Sequence, residues 1–325
     1  MKLPRRRFLH LAAGAAALPT VSPFAWAQAY PTRPVRIIVG FPAGTSADIV
    51  ARLMGQWLAS HLGQPSVIEN RPGAAGNIGS EAVVRAAPDG YSLLWALSAN
   101  AISATFYDNL NFNFIRDIAP VATVGRIPLV MVVNPSFPAE TVPEFIAYAK
   151  ANPGKINMAS GGNGGTLHVT GELFKMMTGV SMTHVPYRGD APALTAVLSG
   201  QVQVMFATMP AAIEQIRAGK LRALAVTTTA RSAALPDIPT VGEFVQGYEA
   251  SIWHGVGAPK ATPAEIVEIL DKQVNAALAD PTFKTRFADL GVEPFPSSPA
   301  EFGQFIGAET EKWAKVIKFA GIKPD

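Results

Sequence analysis

Short apolar runs alternate with stretches of helical periodicity along almost the whole chain, and this alternation is the strongest constraint on the fold. Residues 34–40 (PVRIIVG) read as a short buried strand. From about residue 47 to 62 the apolar positions Ile49, Val50, Leu53, Trp57, Leu58 and Leu62 recur at helical spacing, and Gly63 ends the run. Residues 66–70 are the next strand. A turn-rich RPGAAGNIGS then leads into a helix to about residue 87, and PDGY turns into a strand over 92–97. Further strands are expected at 129–133, 156–160, 182–186, 202–206 and 221–227, each with a helical pattern close by. Strand and helix in alternation predict an α/β protein with mostly parallel sheets. Three helix starts read as capping boxes, Thr141 with Glu144, Thr262 with Glu265 and Ser298 with Glu301, the last two with proline at the first helical position.

At 325 residues the chain has material for two domains or one large one. Only 16% of residues are charged and 49% are hydrophobic, which argues against disorder. No repeat and no low-complexity linker divides the chain, so two domains would be lobes joined by crossing strands rather than by a tether. Cysteine is absent, which excludes disulfides, thiolate metal sites, a cysteine nucleophile and a lipid anchor on cysteine.

The formal net charge of +3 is set by the N-terminus. Lys2, Arg5, Arg6 and Arg7 form a basic region, an apolar run follows over 9–18, and Ala25, Trp26 and Ala27 make a small-x-small cleavage site. Residues 1–27 therefore read as an export signal, and RRRFL fits the twin-arginine type. The apolar run is shorter than the roughly 20 residues a membrane span needs. Removing this segment takes four Lys/Arg and no Asp/Glu, leaving 23 against 24 and a net charge of −1. A near-neutral remainder with no basic block argues against nucleic acid as a partner.

Catalytic templates are missing: there is no G-x-S-x-G elbow, no phosphate-binding G-x-x-x-x-G-K and no H-E-x-x-H. The histidines His10, His61, His168, His184 and His254 are dispersed with no metal-ligand spacing, so neither metal nor cofactor is expected. His168, just inside a Gly-rich helix start, reads as a hydrogen-bonded structural residue.

Four loops share one design, in which a strand runs into small, polar or Gly-rich residues and a helix begins. They are FPAGTSAD at 41–48, SGGNGGT at 160–166, YRGDAP at 187–192 and ATMP at 207–210. A helix N-terminus presents unpaired N–H groups and about half a positive charge, so it receives a carboxylate or phosphate without a side-chain cation. Glycines admit the ligand to the backbone, and hydroxyls and amides orient it. In parallel α/β sheets such loops lie at the carboxyl ends of strands, where ligands bind.

These segments resemble the solute-binding receptors of tripartite tricarboxylate transporters, the Bug-type periplasmic receptors. The similarity lies in FPAGTSADIVAR, in IENRPGAAGNIGS followed by APDGYSLL, in SGGNGGTLHVTGELF and HVPYRGDAPALTAVLSGQV, and in LRALAVTTTARSAALPDIPTV and GYEASIWHGVGAPKATP, all in family order. The resemblance implies a bilobal periplasmic-binding-protein fold of type II character, two α/β lobes joined by crossing strands with the ligand cleft between them. Lobe 1 would be residues 28–127 plus 251–325 and lobe 2 residues 128–250. It implies a non-enzymatic receptor that captures a small organic carboxylate by closing on it, then passes it to transporter subunits in the membrane; signalling to a membrane kinase is the alternative. The expected state is a soluble, unlipidated periplasmic monomer. Carried onto this sequence, the ligand contacts from lobe 1 would be Phe41, Gly44, Thr45, Ser46, Asp48, Ser98 and Asn100. Lobe 2 would supply Ser160, Asn163 and Thr166, with Arg188, Asp190 and Thr208 as wall residues. The chain departs from the family pattern in the first loop, which commonly reads with Pro-Gly-Gly and here is Pro42-Ala43-Gly44-Thr45, and at Thr195 and Ala196, where an acidic residue is often found.

Overall fold

The computed structural model describes residues 30–107 and 109–324; the export-signal segment lies outside them. Strands β1 (Val35–Val39), β2 (Ser66–Asn70) and β3 (Ser92–Leu97) alternate with helices α1 (Ser46–Leu62), α2 (Asn77–Val84) and α3 (Ser98–Phe106). After the single turn α4 (Phe114–Asp117) comes the long strand β4 (Ile118–Val133), then α5 (Val142–Ala151), β5 (Asn157–Ser160), α6 (Thr166–Thr178), β6 (Thr183–Pro186), α7 (Asp190–Leu198), β7 (Val204–Thr208), α8 (Met209–Arg217) and β8 (Arg222–Val226). The chain closes with β9 (Ser251–Pro259), α9 (Ala264–Ala279), α10 (Pro281–Asp289), the short β10 (Glu293–Pro294) and α11 (Pro299–Ala320).

The strands are ordered β2-β1-β3-β9-β4-β7-β5-β6, with β8 and β10 also paired to β4. The expected parallel pairing holds at the flanks: β1 is parallel to β2 and β3, and β5 to β6 and β7. The centre differs from expectation, because β9 runs antiparallel to both β3 and β4, and β4 antiparallel to β7 and β8. β4 runs on from one half to the other, with β9 beside it up to Pro128 and β7 and β8 from Leu129 onward. Thr227 lies where these pairings change. Its N–H donates to the Leu129 carbonyl (2.9 Å), its hydroxyl donates to the Ala250 carbonyl (2.6 Å), and its carbonyl accepts from the Ala250 N–H (3.0 Å).

Helices cover both faces of the sheet, which explains why β3 is buried at every position. One apolar cluster lies around Ile37, Val39, Trp95 and Val256, a second around Val130, Ala159, Met205 and Ala207. A third runs under both halves of the sheet, from Ile38 and Leu94 through Trp253 and Trp313 to Met131 and Phe206.

The caps differ in part from the sequence reading. Ser298 and Glu301 form the complete reciprocal box. Thr141 caps α5, but the Glu144 carboxylate accepts from the Glu140 N–H instead. Thr262 does not cap α9: its N–H closes a turn on the Pro259 carbonyl, and the helix starts after Pro263.

Candidate ligand-binding site

Parallel strands in each half deliver their carboxyl-terminal loops to a common edge. In the first half these are the loops after β1 and β3, in the second those after β5, β6 and β7. Three helix N-termini meet at one cavity of about 360 Å³. Ser46 opens α1, Asp190 opens α7 and Thr208 precedes α8, and all three line it together with Ile49, Val50, Ile127, Pro210, Ile252, Asp289 and Leu290. Other depressions on the described surface, of about 370, 490, 390 and 480 Å³, match or exceed it in size. Each of those is lined from one half of the sheet only, and none by a residue named from the sequence as a ligand contact. Lining from both halves, not volume, distinguishes the central cavity. A second contact between the halves joins Ser98 and Thr166, whose hydroxyls lie 3.2 Å apart.

The loop over residues 41–45 is held from behind by a carboxylate. Asp48 is buried, and its oxygens accept from the Gly44 N–H (2.9 Å), Arg52 Nε (3.0 Å) and Asn70 Nδ2 (2.9 Å). Asn70 also donates to the Phe41 carbonyl at 3.0 Å. The Arg52 hydrogen bond, helped by Gly44 and Asn70, outweighs burial and holds the Asp48 carboxyl down at about 2. Asp48 and the Gly44 N–H are thus committed to each other. Thr45 is committed too: as N-cap its hydroxyl donates to the Pro42 carbonyl (2.8 Å) and faces the Asp48 N–H (3.5 Å). Phe41 packs against the Ile37 cluster. Behind the loop, Gly40 lies so close to Gly76 that an added Cβ would stand 2.6 Å from the Gly76 Cα.

Asn100, like Asp48, works within its own half. Its Oδ1 accepts from the Leu97 N–H (2.8 Å) and its Nδ2 donates to the Ser80 hydroxyl (2.8 Å), which caps α3. Ser160 is fully buried; its hydroxyl donates to the Gly162 carbonyl (2.9 Å) and lies 2.6 Å from His184 Nε2. Asn163 donates to the Lys323 carbonyl beyond α11 at 3.0 Å. Arg188 is exposed and does not line the cavity. Asp190 does line it, and burial pushes its carboxyl up from the ordinary value.

Sequence spacing gave no hint of a histidine pair. The rings of His168 and His184 stack at 3.4 Å with 9° between their planes, directly beneath the 160–166 loop. Sixteen positions apart on a helix and a strand, they share no local pattern; only the pairing of β5 with β6 brings them together.

Two α/β halves, a sheet whose central strand β4 runs from one to the other and a cavity lined from both define the architecture of a solute-binding protein. The comparisons agree. Residues 50–322 match the family model described as "Tripartite tricarboxylate transporter family receptor". Protein BugT of Bordetella pertussis is 38% identical over 302 residues, covering 91% of this chain and 92% of its own. A Rhodopseudomonas palustris protein solved with adipate is 37% identical with a TM-score of 0.77, covering 91% of this chain and 100% of its own. MatC of the same organism, solved with bound malate, is 31% identical with a TM-score of 0.73, covering 89% and 100%. The chain belongs to the tripartite tricarboxylate transporter receptor family, a family of solute-binding receptors and not of enzymes, and has its mixed α/β periplasmic-binding-protein fold.

Proposed function

We propose that the protein captures a small organic carboxylate in the cavity between two lobes, closes over it and delivers it in the periplasm to the membrane subunits of a tripartite transporter. The lobes are residues 28–127 with 251–325, and 128–250. The observation that carries this reading is the meeting of the α1, α7 and α8 N-termini at one cavity lined from both halves. The first N–H groups of α1 and α8, beside the Ser46 and Thr208 hydroxyls, offer an anion donors and positive dipole ends without a cation. The relatives solved with adipate and malate support a carboxylate.

Asp190 sharpens the ligand's chemistry. Asp190 opens α7 and lines the cavity, so the ligand carboxylate is placed away from it, at the Ser46 and Thr208 hydroxyls and the α8 N-terminus. The part of the ligand facing Asp190 is then a hydrogen-bond donor or an uncharged group, since a second carboxylate there would meet a like charge. Phe41, Ser98, Ser160 and Thr166 shape the cleft wall around it, while Gly44, Thr45, Asp48, Asn100 and Asn163 hold the loops in place. Arg188 sits at the rim.

A thermal-shift screen of the protein lacking residues 1–27 against organic acids tests the reading. An acid present at about 100 times its Kd should stabilise the fold by roughly 2.7 kcal/mol, and solution scattering should show a more compact particle. No shift from any acid in a broad panel removes the carboxylate; a shift without compaction removes the closure.

A further inference from the structure

The carboxylate reading makes no use of the two imidazoles stacked under the 160–166 loop, yet they bear the loop's backbone. The Gly164 N–H donates to His168 Nδ1 at 3.0 Å, and His168 Nε2 lies 3.5 Å from Glu172 Oε1. This ring is therefore a neutral imidazole with its proton on Nε2. The Ser160 hydroxyl, donating to the Gly162 carbonyl, accepts from the Gly162 N–H (3.3 Å) and from His184 Nε2 (2.6 Å). Ser160 thereby ties the His184 ring to the backbone of Gly162. Gly164 has positive φ, and an added Cβ would stand 2.5 Å from the Phe106 ring of α3 in the other half. The loop's conformation thus sets how closely the two halves approach.

We propose that the stacked His168–His184 pair is a positioning element for ligand binding: as neutral rings the two histidines hold residues 160–164 in the shape that receives the carboxylate, and affinity is lost when they take up protons. The proposal rests on the reading of this loop as one wall of the ligand cleft. A second proton on His168 would place an N–H donor against the Gly164 N–H, opening that hydrogen bond. Two charged rings at 3.4 Å would also repel. The groups facing the pair are Glu172 and Lys175 on α6 and the Ser160 hydroxyl at the end of β5, while Asp190 on α7 abuts the same loop at Gly161. Lys175 opposes a charge on His184 and Glu172 favours one, but Glu172 is already engaged by the Lys175 ammonium at 2.8 Å. Burial, together with His168, lowers His184 to about 4.

Two substitutions separate the hydrogen bonds from the titration. His168→Asn keeps an acceptor near the Nδ1 position and His184→Gln keeps a donor near Nε2, and neither titrates. Affinity for malate and for adipate is measured by calorimetry from about pH 7.5 to pH 4, in the range where tryptophan fluorescence of both proteins stays native. The double variant is expected to bind within about threefold of the wild type at pH 7.5. The wild type should lose about tenfold more affinity than the double variant on acidification; the ligand's own ionisation is common to both and cancels. His168→Ala combined with His184→Phe should bind about tenfold or more weakly at every pH. Superimposed pH profiles for the wild type and the double variant overturn the proposal. If neither acid binds, malate and adipate are excluded as ligands, while the carboxylate reading stands or falls on the broad acid panel. The Gly162 and Gly164 amide resonances then decide the anchoring: they must follow the imidazole titration in the wild type and not in the double variant, and amides indifferent to it overturn the proposal.

Discussion

The loops at 41–45 and 160–165 share one design in sequence, a strand ending in small residues before a helix, but are fastened by opposite chemistry. The first hangs on an ionised carboxylate, Asp48, backed by Arg52 and Asn70. The second hangs on two neutral rings, His168 and His184, by way of Gly164 and Ser160. A buried carboxylate with a guanidinium partner keeps its charge down to about pH 2, whereas the His184 imidazole takes up a proton at higher pH, at about 4. One wall of the cleft is therefore chemically fixed and the other conditional.

The largest expected effect comes from breaking the fixed wall. Asp48→Ala strands the Gly44 N–H, Asn70 and Arg52 together and should cost about 3 kcal/mol in urea denaturation. A loss under about 1 kcal/mol would show that the loop does not need its carboxylate. Next is the junction between the halves. Thr227→Val keeps the shape but removes the hydroxyl that bonds the Ala250 carbonyl, and should cost about 1–2 kcal/mol. It should also loosen the ligand-free protein in solution scattering; unchanged stability would leave the backbone pairing alone as the tie.

Acid titration sharpens the contrast between the loops. An unfolded imidazole takes up its proton near pH 6.5, while burial lowers His184 to about 4 and His254 to about 3. Between these values the unfolded state binds more protons, so stability should fall as pH drops from 6.5 toward 4. The Asp48 contribution should survive that interval and be lost only as pH falls below 3.8 toward about 2. Amide exchange followed against pH should therefore show Gly164 opening before Gly44; the reverse order would undo the comparison.

Smaller effects are expected at the edges of the site. Asp190→Asn removes the like charge from the cavity and should raise affinity for adipate relative to hexanoate by about threefold to tenfold in calorimetry. An unchanged ratio would place the second carboxylate elsewhere. Behind the first loop, Ala74 and Ala75 hold left-handed φ of 47° and 54°. Ala75→Gly should stabilise by roughly 0.5 kcal/mol, the relief of strain less the entropy of a new glycine.

Much of the fold was legible in the sequence. The strands at 35–39, 66–70, 92–97, 157–160 and 183–186 fall within or on the predicted segments; at 35–39 and 92–97 this is because short apolar runs fit a sheet covered on both faces. Where the reading fell short, nothing local could have corrected it. The apolar run at 129–133 is only the end of β4, which begins at Ile118, and β9 passed unnoticed among its glycines. Thr262 has the residues of a capping box, yet the turn on Pro259 takes it off the helix end. The cleft divides in the same way. Ser46, Asp190 and Thr208 come together at the cavity, while Asp48, Thr45 and Asn100, equally polar and equally close to helix starts, turn back to hold backbone.

The sequence by itself determined the alternation of strand and helix, the helix starts suited to an anion and the family's motifs in their order, because periodicity and capping are written into neighbouring residues. Only the tertiary structure decided which polar groups remain free for a ligand and which are spent on the protein. It brought His168 against His184, committed Gly44 to Asp48 and turned the central strands antiparallel. Each of these depends on partners distant along the chain, and a hydrogen bond is assigned by distance in space, not by separation in sequence.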